Sequence, residues 1–260
     1  MTRLDVWLAE QGLSESREKA QALVMAGRVR IAGRPATKPG QRVREGETVE
    51  VEPGPAHVGR GAIKLIGALE AFGVDPAGAV AVDVGASTGG FTETLLERGA
   101  RCVYAVDVGR GQLHERLRQD PRVFVLDRTN ARSLSRALVP EPCSLAVMDV
   151  SFISVRQLLG PLASVLAPGA SAIVLVKPQF EVGRAEVGKG GVVRKPELHL
   201  QALAGVAAFA QAAGWAVRGA CASPVTGASG NREFFLHLVP GGEPLAPEPL
   251  AAALGKAVSA

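Results

Sequence analysis

At 260 residues, 47% hydrophobic and 21% charged, the chain has length for a small domain plus a medium one and is too apolar to be disordered. Its net charge of +4 is modest, and its three cysteines, Cys102, Cys143 and Cys221, lack metal-ligand spacing, so reduced buried thiols are expected rather than disulfides or zinc. No apolar run reaches the roughly 18 residues of a membrane span, and the opening MTRLDVWLAEQG carries acids where a signal peptide needs an apolar core, so a soluble, cytoplasmic protein is expected.

Residues 3–12, with Leu4, Trp7, Leu8 and Gln11 before Gly12, predict a short amphipathic helix. Ser14 offers an N-cap for a second helix carrying Ala20, Leu23 and Val24 and stopping at Gly27. Strand-like pieces follow at Val29–Ile31 and, after a turn at Gly33, from Val43 to Val51, ending at Pro53. Between Arg17 and Arg44 lie Arg17, Lys19, Arg28, Arg30, Arg34, Lys38, Arg42 and Arg44 against the single acid Glu18, eight minus one or +7 in 28 residues. So dense a basic patch suggests a polyanionic partner; a solvated basic face on an accessory domain is the plainer alternative. With few aromatics here, contacts to the partner's anionic groups should outweigh ring stacking. The phrase RLDVWLAEQGLSESREKAQALVMAGRVRIAGRPATKPGQRVREGETVEV resembles the RNA-binding module of ribosomal small-subunit protein S-four, pseudouridine synthases and tyrosyl-tRNA synthetases. That resemblance implies an RNA-binding domain over residues 1–53 with Arg17, Lys19, Arg28, Arg30, Arg34 and Arg42 as its contacts.

A Pro- and Gly-rich stretch over residues 54–61 predicts a linker. Next comes an amphipathic helix through Ile63, Leu65, Leu69 and Phe72, stopping at Gly73, with Lys64 at its start. Read from this segment alone, Lys64 is a solvated helix-face residue.

From Ala79 onward apolar strands alternate with helical segments, the pattern of an α/β, doubly wound parallel sheet of the Rossmann-like kind. The predicted strands are 79–85, 102–107, 123–127, 144–150, 171–177, 215–222 and 232–239, and ligands in such sheets bind beyond the strands' carboxyl ends. The first strand runs through AVAVDVGASTGGF into Asp83 and a turn with Gly85, Gly89 and Gly90. It fits either a structural strand–turn–helix junction or a loop whose glycines admit a nucleotide-like ligand to the free N–H groups near Thr88–Phe91. It matches neither G-x-G-x-x-G nor the phosphate-binding Gly-Lys-Ser/Thr pattern. The second strand ends at Asp107, placed to hold ribose hydroxyls. The third ends at Asp127 before Asn130, near where an adenine edge can be read; a solvated acid opening a turn is the alternative for Asp127. Strands four and five end at Asp149 and Lys177. The last begins at Glu233, which an antiparallel strand brings to the same rim.

These strand-end residues resemble the S-adenosylmethionine-dependent methyltransferases. DVGASTGGFTE at 83–93, AVDVGRGQL at 105–113, DRTNAR at 127–132, MDVSFIS at 148–154, LVKPQFEVGR at 175–184, GGVVRKPELH at 190–199 and SPVTGASGNREFFLHL at 223–238 are together similar to the TlyA-type ribosomal RNA 2′-O-methyltransferases, also called hemolysins. The resemblance spans residues 1 to about 240 and implies an FtsJ-like methyltransferase domain over 62–240, its seven-stranded sheet ending in an antiparallel strand. It implies a Lys-Asp-Lys-Glu tetrad on Lys64, Asp149, Lys177 and Glu233 around the target hydroxyl, with Lys177 as base or close orienter. It also implies S-adenosyl-L-methionine bound by Asp83, Gly85, Ser87, Thr88, Gly89, Gly90, Phe91, Asp107, Asp127 and Asn130, with no metal, and ribosomal RNA or ribosomal subunits as partner. The loop 181–194 is expected to be mobile beside the site, with Arg184, Lys189 and Arg194 near RNA phosphate or simply on the surface. Residues 241–260 are expected as a tail with at most a short helix.

Competing chemistries fit less well. Amino-group methylation uses Asn/Asp-Pro-Pro-aromatic after the fourth strand, where this chain has Asp149-Val150-Ser151-Phe152, and C5 methylation of cytosine needs a cysteine at that strand's end, whereas Cys143 opens it. A membrane-lytic protein lacks a supporting helix in the sequence. An RNA-binding assembly factor that binds cofactor without turnover is a further alternative, against which the rim lysines and acids argue.

Overall fold

The structure, a computed structural model, describes residues 1–44, 46–52 and 57–260. The chain divides into two units, Met1–His57 and Val58–Ala260. In the first unit, β1 (Thr2–Arg3) leads into α1 (Leu4–Glu10) and α2 (Arg17–Met25), followed by β2 (Val29–Ile31), β3 (Arg34–Pro35), β4 (Arg42–Val43) and β5 (Val49–Val51). Leu4, Leu8, Ala20, Val24, Val29, Ile31 and Val43 bury into one core. The N-cap of α2 is Ser16, whose hydroxyl accepts from Lys19 N at 3.2 Å, not Ser14, which instead donates to the Ser16 carbonyl. The expected strand from Val43 to Val51 is two strands in two sheets: β4 pairs with β1 and β5 with β2. Gly46 between them sits at φ 85°, outside the β range. The end of that expected strand at Pro53 and linker residues 54–56 lie outside the described residues, as does Glu45.

In the second unit, α3 (Gly61–Phe72) precedes β6 (Val80–Val84), α4 (Gly90–Glu97), β7 (Cys102–Val106), α5 (Glu115–Arg118), β8 (Val123–Leu126), β9 (Cys143–Met148), α6 (Leu159–Val165), β10 (Leu166–Val176), α7 (Pro178–Glu181), α8 (Pro196–Ala212), β11 (Trp215–Ala222), β12 (Phe234–Pro240) and α9 (Pro247–Ser259). Among the described residues these strands form a seven-stranded sheet ordered β11-β12-β10-β9-β6-β7-β8. Only β12 runs against its neighbours. Helices cover both faces, which explains why the central strands are apolar without alternation. One core joins Val82, Val84, Met148 and Val174 to Leu159, Leu162, Leu203, Val206 and Leu254. The other joins Ala81, Val103, Val147 and Leu175 to Leu65, Leu69, Phe91 and Leu95.

Two boundaries differ from expectation. Val58–Gly61, expected as linker, is part of the second unit, where Val58 N donates to Glu93 Oε2 at 2.7 Å. The expected C-terminal tail holds the 13-residue α9, which buries Leu254, Ala257 and Val258. Pro247 and Pro249 fall in its first turn, where the missing N–H groups have no intrahelical partner to lose. Among the described residues no helix is long and apolar enough to cross a membrane.

Candidate active site

The carboxyl ends of β6, β7, β9 and β10 meet at one rim, which the turn after β6 shapes. Gly85 stands at φ 86°, and a Cβ there would strike the Asp149 carbonyl, so this turn and the exit of β9 touch backbone to backbone. Gly90 allows a similar approach: a Cβ would come within 2.9 Å of Ala62 N. The starts of α3 and α4 can therefore abut, carrying Lys64 toward the sheet. Non-glycine Ser87 also takes positive φ, 49°, a conformation that surrounding structure must enforce.

Two clefts open from this rim. The first, about 420 Å³, is lined by Gly85, Ser87, Asp107, Asn130, Arg132 and the apolar Val108, Val150, Ile153 and Leu158, among others. Asp107 Oδ2 accepts from Ser87 N at 2.8 Å and Oδ1 from Gly109 N at 2.6 Å, so the carboxylate is fixed but retains lone pairs toward the cleft. The second cleft, about 510 Å³, is lined by Arg60, Lys64, Asp149, Lys177, Asn231 and Glu233, among others. Gly85, Ser87, Asp149, Ser151 and Phe152 border both.

The tetrad predicted from four distant segments converges here. Lys64 Nζ donates to Glu233 Oε2 at 2.5 Å and lies 3.9 Å from Asp149 Oδ2. Lys177 Nζ forms an ion pair with Asp149 Oδ1 at 2.6 Å and donates to Ser151 Oγ at 2.9 Å. Lys64, Lys177 and Glu233 are buried, so the two cations and two carboxylates must neutralise one another. Glu233 reaches the rim because β12 is antiparallel: its next residue, Phe234, pairs with Val176, next to Lys177.

Several residues expected to touch a cofactor do not line the first cleft. Asp83 is fully buried beneath the turn, where Oδ2 accepts from Thr92 Oγ1 at 2.7 Å and, among the described residues, Oδ1 meets no partner at hydrogen-bond geometry. Burial pushes its carboxyl up to about 7, the Thr92 hydrogen bonds opposing the rise and Asp149 and Asp107 adding to it. Asp127 points away to Gly111 N and to Arg118, 3.1 and 3.0 Å. The Gly111 amide chiefly, with Arg118, holds its carboxyl below the ordinary range. Phe91 packs in the core beside Phe235, and Thr88, Gly89 and Gly90 shape the turn from behind the lining. Sequence reasoning passed over Ser151, Phe152, Arg132 and Asn231. Phe152 is 91% exposed at φ 66°, its ring 5.3 Å from that of Phe180; an exposed aromatic held at positive φ is a signal only a structure provides.

The loop 181–194, expected to be mobile, is pinned at both ends. Buried Glu181 accepts from Ser154 Oγ at 2.7 Å and Val155 N at 2.8 Å, and burial raises its carboxyl above the ordinary range. Asn231 accepts from Val193 N and donates to the Gly191 carbonyl, both at 2.9 Å, while His199 Nε2 donates to the Val193 carbonyl at 2.8 Å.

The basic residues of the first unit divide into two groups. Arg17 donates to Asp5, Lys19 pairs with Glu15, and Arg30 pairs with Glu52, all acids outside the counted window. Asp5 is fully buried, and Arg3 foremost, then Gln21 and Arg17, hold its carboxyl well below the carboxylate range, which makes Arg17 in part a structural residue. Arg28 donates to the Glu52 carbonyl. Among the described residues, Arg34, Lys38, Arg42 and Arg44 are exposed and form no ion pair.

Residues 57–239 match the FtsJ-like methyltransferase family and residues 2–49 the S4 domain. The chain is 50% identical over 238 residues to the 16S/23S rRNA (cytidine-2′-O)-methyltransferase TlyA of Mycobacterium tuberculosis, covering 91% of this chain and 89% of that one. It is 35% identical over 238 residues to Hemolysin A of Brachyspira hyodysenteriae, covering 91% and 99%. Among solved structures, a suggested hemolysin from Streptococcus thermophilus superposes with a TM-score of 0.75 at 40% identity, covering 99% of this chain and 94% of that one.

Proposed function

Since this chain belongs to the FtsJ-like methyltransferase family, and within it to the TlyA type, we propose that it methylates a ribose 2′-hydroxyl in structured ribosomal RNA, using S-adenosyl-L-methionine. The observation that carries this is the buried tetrad on the wall of a second cleft that shares five lining residues with the first. The first cleft suits the cofactor. Its volume lies in the range of small-molecule sites, Asp107 keeps acceptors for ribose hydroxyls, Asn130 stands beside the apolar wall for the adenine, and the Gly85 turn leaves room for the methionine end. Asp83 acts from beneath this turn by anchoring Thr92 of α4, and Asp127 by fixing the loop at Gly111.

When bound, the cofactor supplies an electrophilic methyl group on a sulfonium. The chain must then bring a weakly nucleophilic hydroxyl into line and manage its proton. Orientation of this kind can be worth about 7–11 kcal/mol, and proton removal a further ~10²–10⁴-fold. Lys177 faces the second cleft and meets the hydroxyl. Asp149, between the two lysines, balances their charge and holds both to the wall, and Glu233 fixes Lys64. Arg28, Arg34, Lys38, Arg42 and Arg44 of the N-terminal unit supply phosphate contacts that deliver the RNA.

The test is transfer of labelled methyl from S-adenosyl-L-methionine to unmethylated ribosomal subunits by the full chain and by Lys177→Ala, with the labelled nucleoside identified. Label on a ribose, lost in the variant, is expected. Label on a base, or undiminished transfer by Lys177→Ala, overturns the reading.

A further inference from the structure

We propose that Ser151 is a positioning residue that sets the direction of the Lys177 amine, a fifth member of the site beside the four residues that share its charge. The inference rests on the reading of Lys177 as the amine that meets the target hydroxyl. An ammonium or amine nitrogen has three directions besides its bond to Cε. At Lys177 two of these directions have partners, Asp149 Oδ1 at 2.6 Å and Ser151 Oγ at 2.9 Å. Attraction to Asp149 holds the nitrogen in place, and the second bond, to Ser151, fixes how it is turned about its bond to Cε. One direction is left for the cleft that Lys177 lines.

Ser151 is built to hold still. It follows Asp149 by two residues at the exit of β9 and borders both clefts, where the two reacting groups must meet. The next residue, Phe152, sits at φ 66°, a conformation that persists only where its surroundings enforce it. The loop is tied three residues on: buried Glu181 accepts from Ser154 Oγ and Val155 N and lies 3.5 Å from Arg156 Nε. Because Glu181 closes α7, which starts directly after Lys177, one carboxylate holds in register the two segments that carry the hydroxyl and the amine.

The experiment compares the full chain with Ser151→Ala, Ser151→Thr, Lys177→Ala and the Ser151→Ala/Lys177→Ala double variant. It measures kcat and KM on unmethylated ribosomal subunits and the cofactor Kd by calorimetry. A hydrogen bond to a charged group predicts that Ser151→Ala loses roughly ten- to hundredfold in kcat, with KM and cofactor Kd within about twofold. Ser151→Thr, which keeps the hydroxyl, recovers most of the loss, and the double variant is no slower than Lys177→Ala. Wild-type kcat in Ser151→Ala, a loss confined to KM or cofactor Kd, a threonine variant as slow as alanine, or additive losses in the double variant would each overturn the positioning role while leaving Lys177 in place. Undiminished transfer by Lys177→Ala would remove the reading beneath it and the positioning role together.

Discussion

The Lys64–Glu233 pair lends itself to a quantitative test. At 2.5 Å and an effective dielectric of about 20, the Coulomb attraction is ~7 kcal/mol. Desolvating each ion costs several kcal/mol, so the intact pair contributes little net stability. Removing Glu233 is different, because both side chains are almost wholly buried, at 10% and 3% exposure, and Lys64 is then left only Asp149 at 3.9 Å, which Lys177 already holds at 2.6 Å, so one of two buried positive charges is uncompensated. Glu233→Ala is expected to destabilise the second unit by about 3–5 kcal/mol, lowering its Tm by roughly 6–20 °C for a unit of this size. The double variant Lys64→Met/Glu233→Leu, which removes both charges and retains bulk, should lie within about 2 kcal/mol of wild type. The assay is urea and thermal unfolding followed by fluorescence of Trp215, which is buried in the second unit, in a Trp7→Phe background that silences the first. Equal destabilisation by single and double variants would show that the pair is not energetically coupled and refute the reasoning.

Other consequences can be checked alongside. Gly85→Ala introduces a Cβ at φ 86° against the Asp149 carbonyl, so methyl transfer should fall by at least about a hundredfold as Asp149 shifts; a wild-type rate would show that the turn and β9 need not touch. Asp83 has a folded-state pKa raised to about 7 by burial, so the folded state binds the proton more tightly than the unfolded one. Its contribution to stability is therefore most favourable below about pH 4 and is lost as pH rises toward 7. The stability of Asp83→Asn relative to wild type should accordingly grow between pH 4 and 7, by up to roughly 4 kcal/mol; a flat difference across that range would contradict it. Reversing charge with Arg34→Glu/Arg42→Glu should weaken binding to ribosomal RNA and make it less salt-dependent, reducing the slope by about one per lost phosphate contact, with cofactor Kd unchanged; an unaltered salt slope would exclude those arginines from the contact.

What could be read ahead from the residues was whatever depends on strand periodicity and strand ends. Asp107, Asp149, Lys177 and Glu233 stand at the rim because a buried strand must stop where its apolar run stops, whereas the direction of β12 came from the family resemblance, with Glu233 at the strand's start consistent with it. Placement departs from expectation where two similar groups compete for one role. Ser14 and Ser16 both suit an N-cap, and only the path of the chain selects Ser16. Asp127 and Asp107 both end strands, but Arg118 and the Gly111 amide engage Asp127. Asp83 carries the acid expected of a ligand-binding turn, yet its side chain turns inward to Thr92, which the pattern of residues does not encode. The partnership of Ser151 with Lys177 joins side chains 26 residues apart and leaves no local trace. The last helix is longer and better packed than the short one expected, because Ala- and Pro-rich composition hides the three- and four-residue spacing of Leu254, Ala257 and Val258.

The antiparallel placement of β12 also bears on when the protein becomes competent during its synthesis. Lys64 and its partner Glu233 are 169 residues apart in sequence, and β12 inserts between β10 and β11, so a ribosome-bound chain that ends before Glu233 has neither the strand nor the carboxylate. Closing so long a loop adds an entropic term that local contacts cannot offset in advance. The two lysines and Asp149 then sit with an excess positive charge in a half-built sheet until the last strand docks. The basic N-terminal unit therefore emerges first and the tetrad is completed last, so on the proposed function the part that holds RNA precedes in synthesis the part that modifies it.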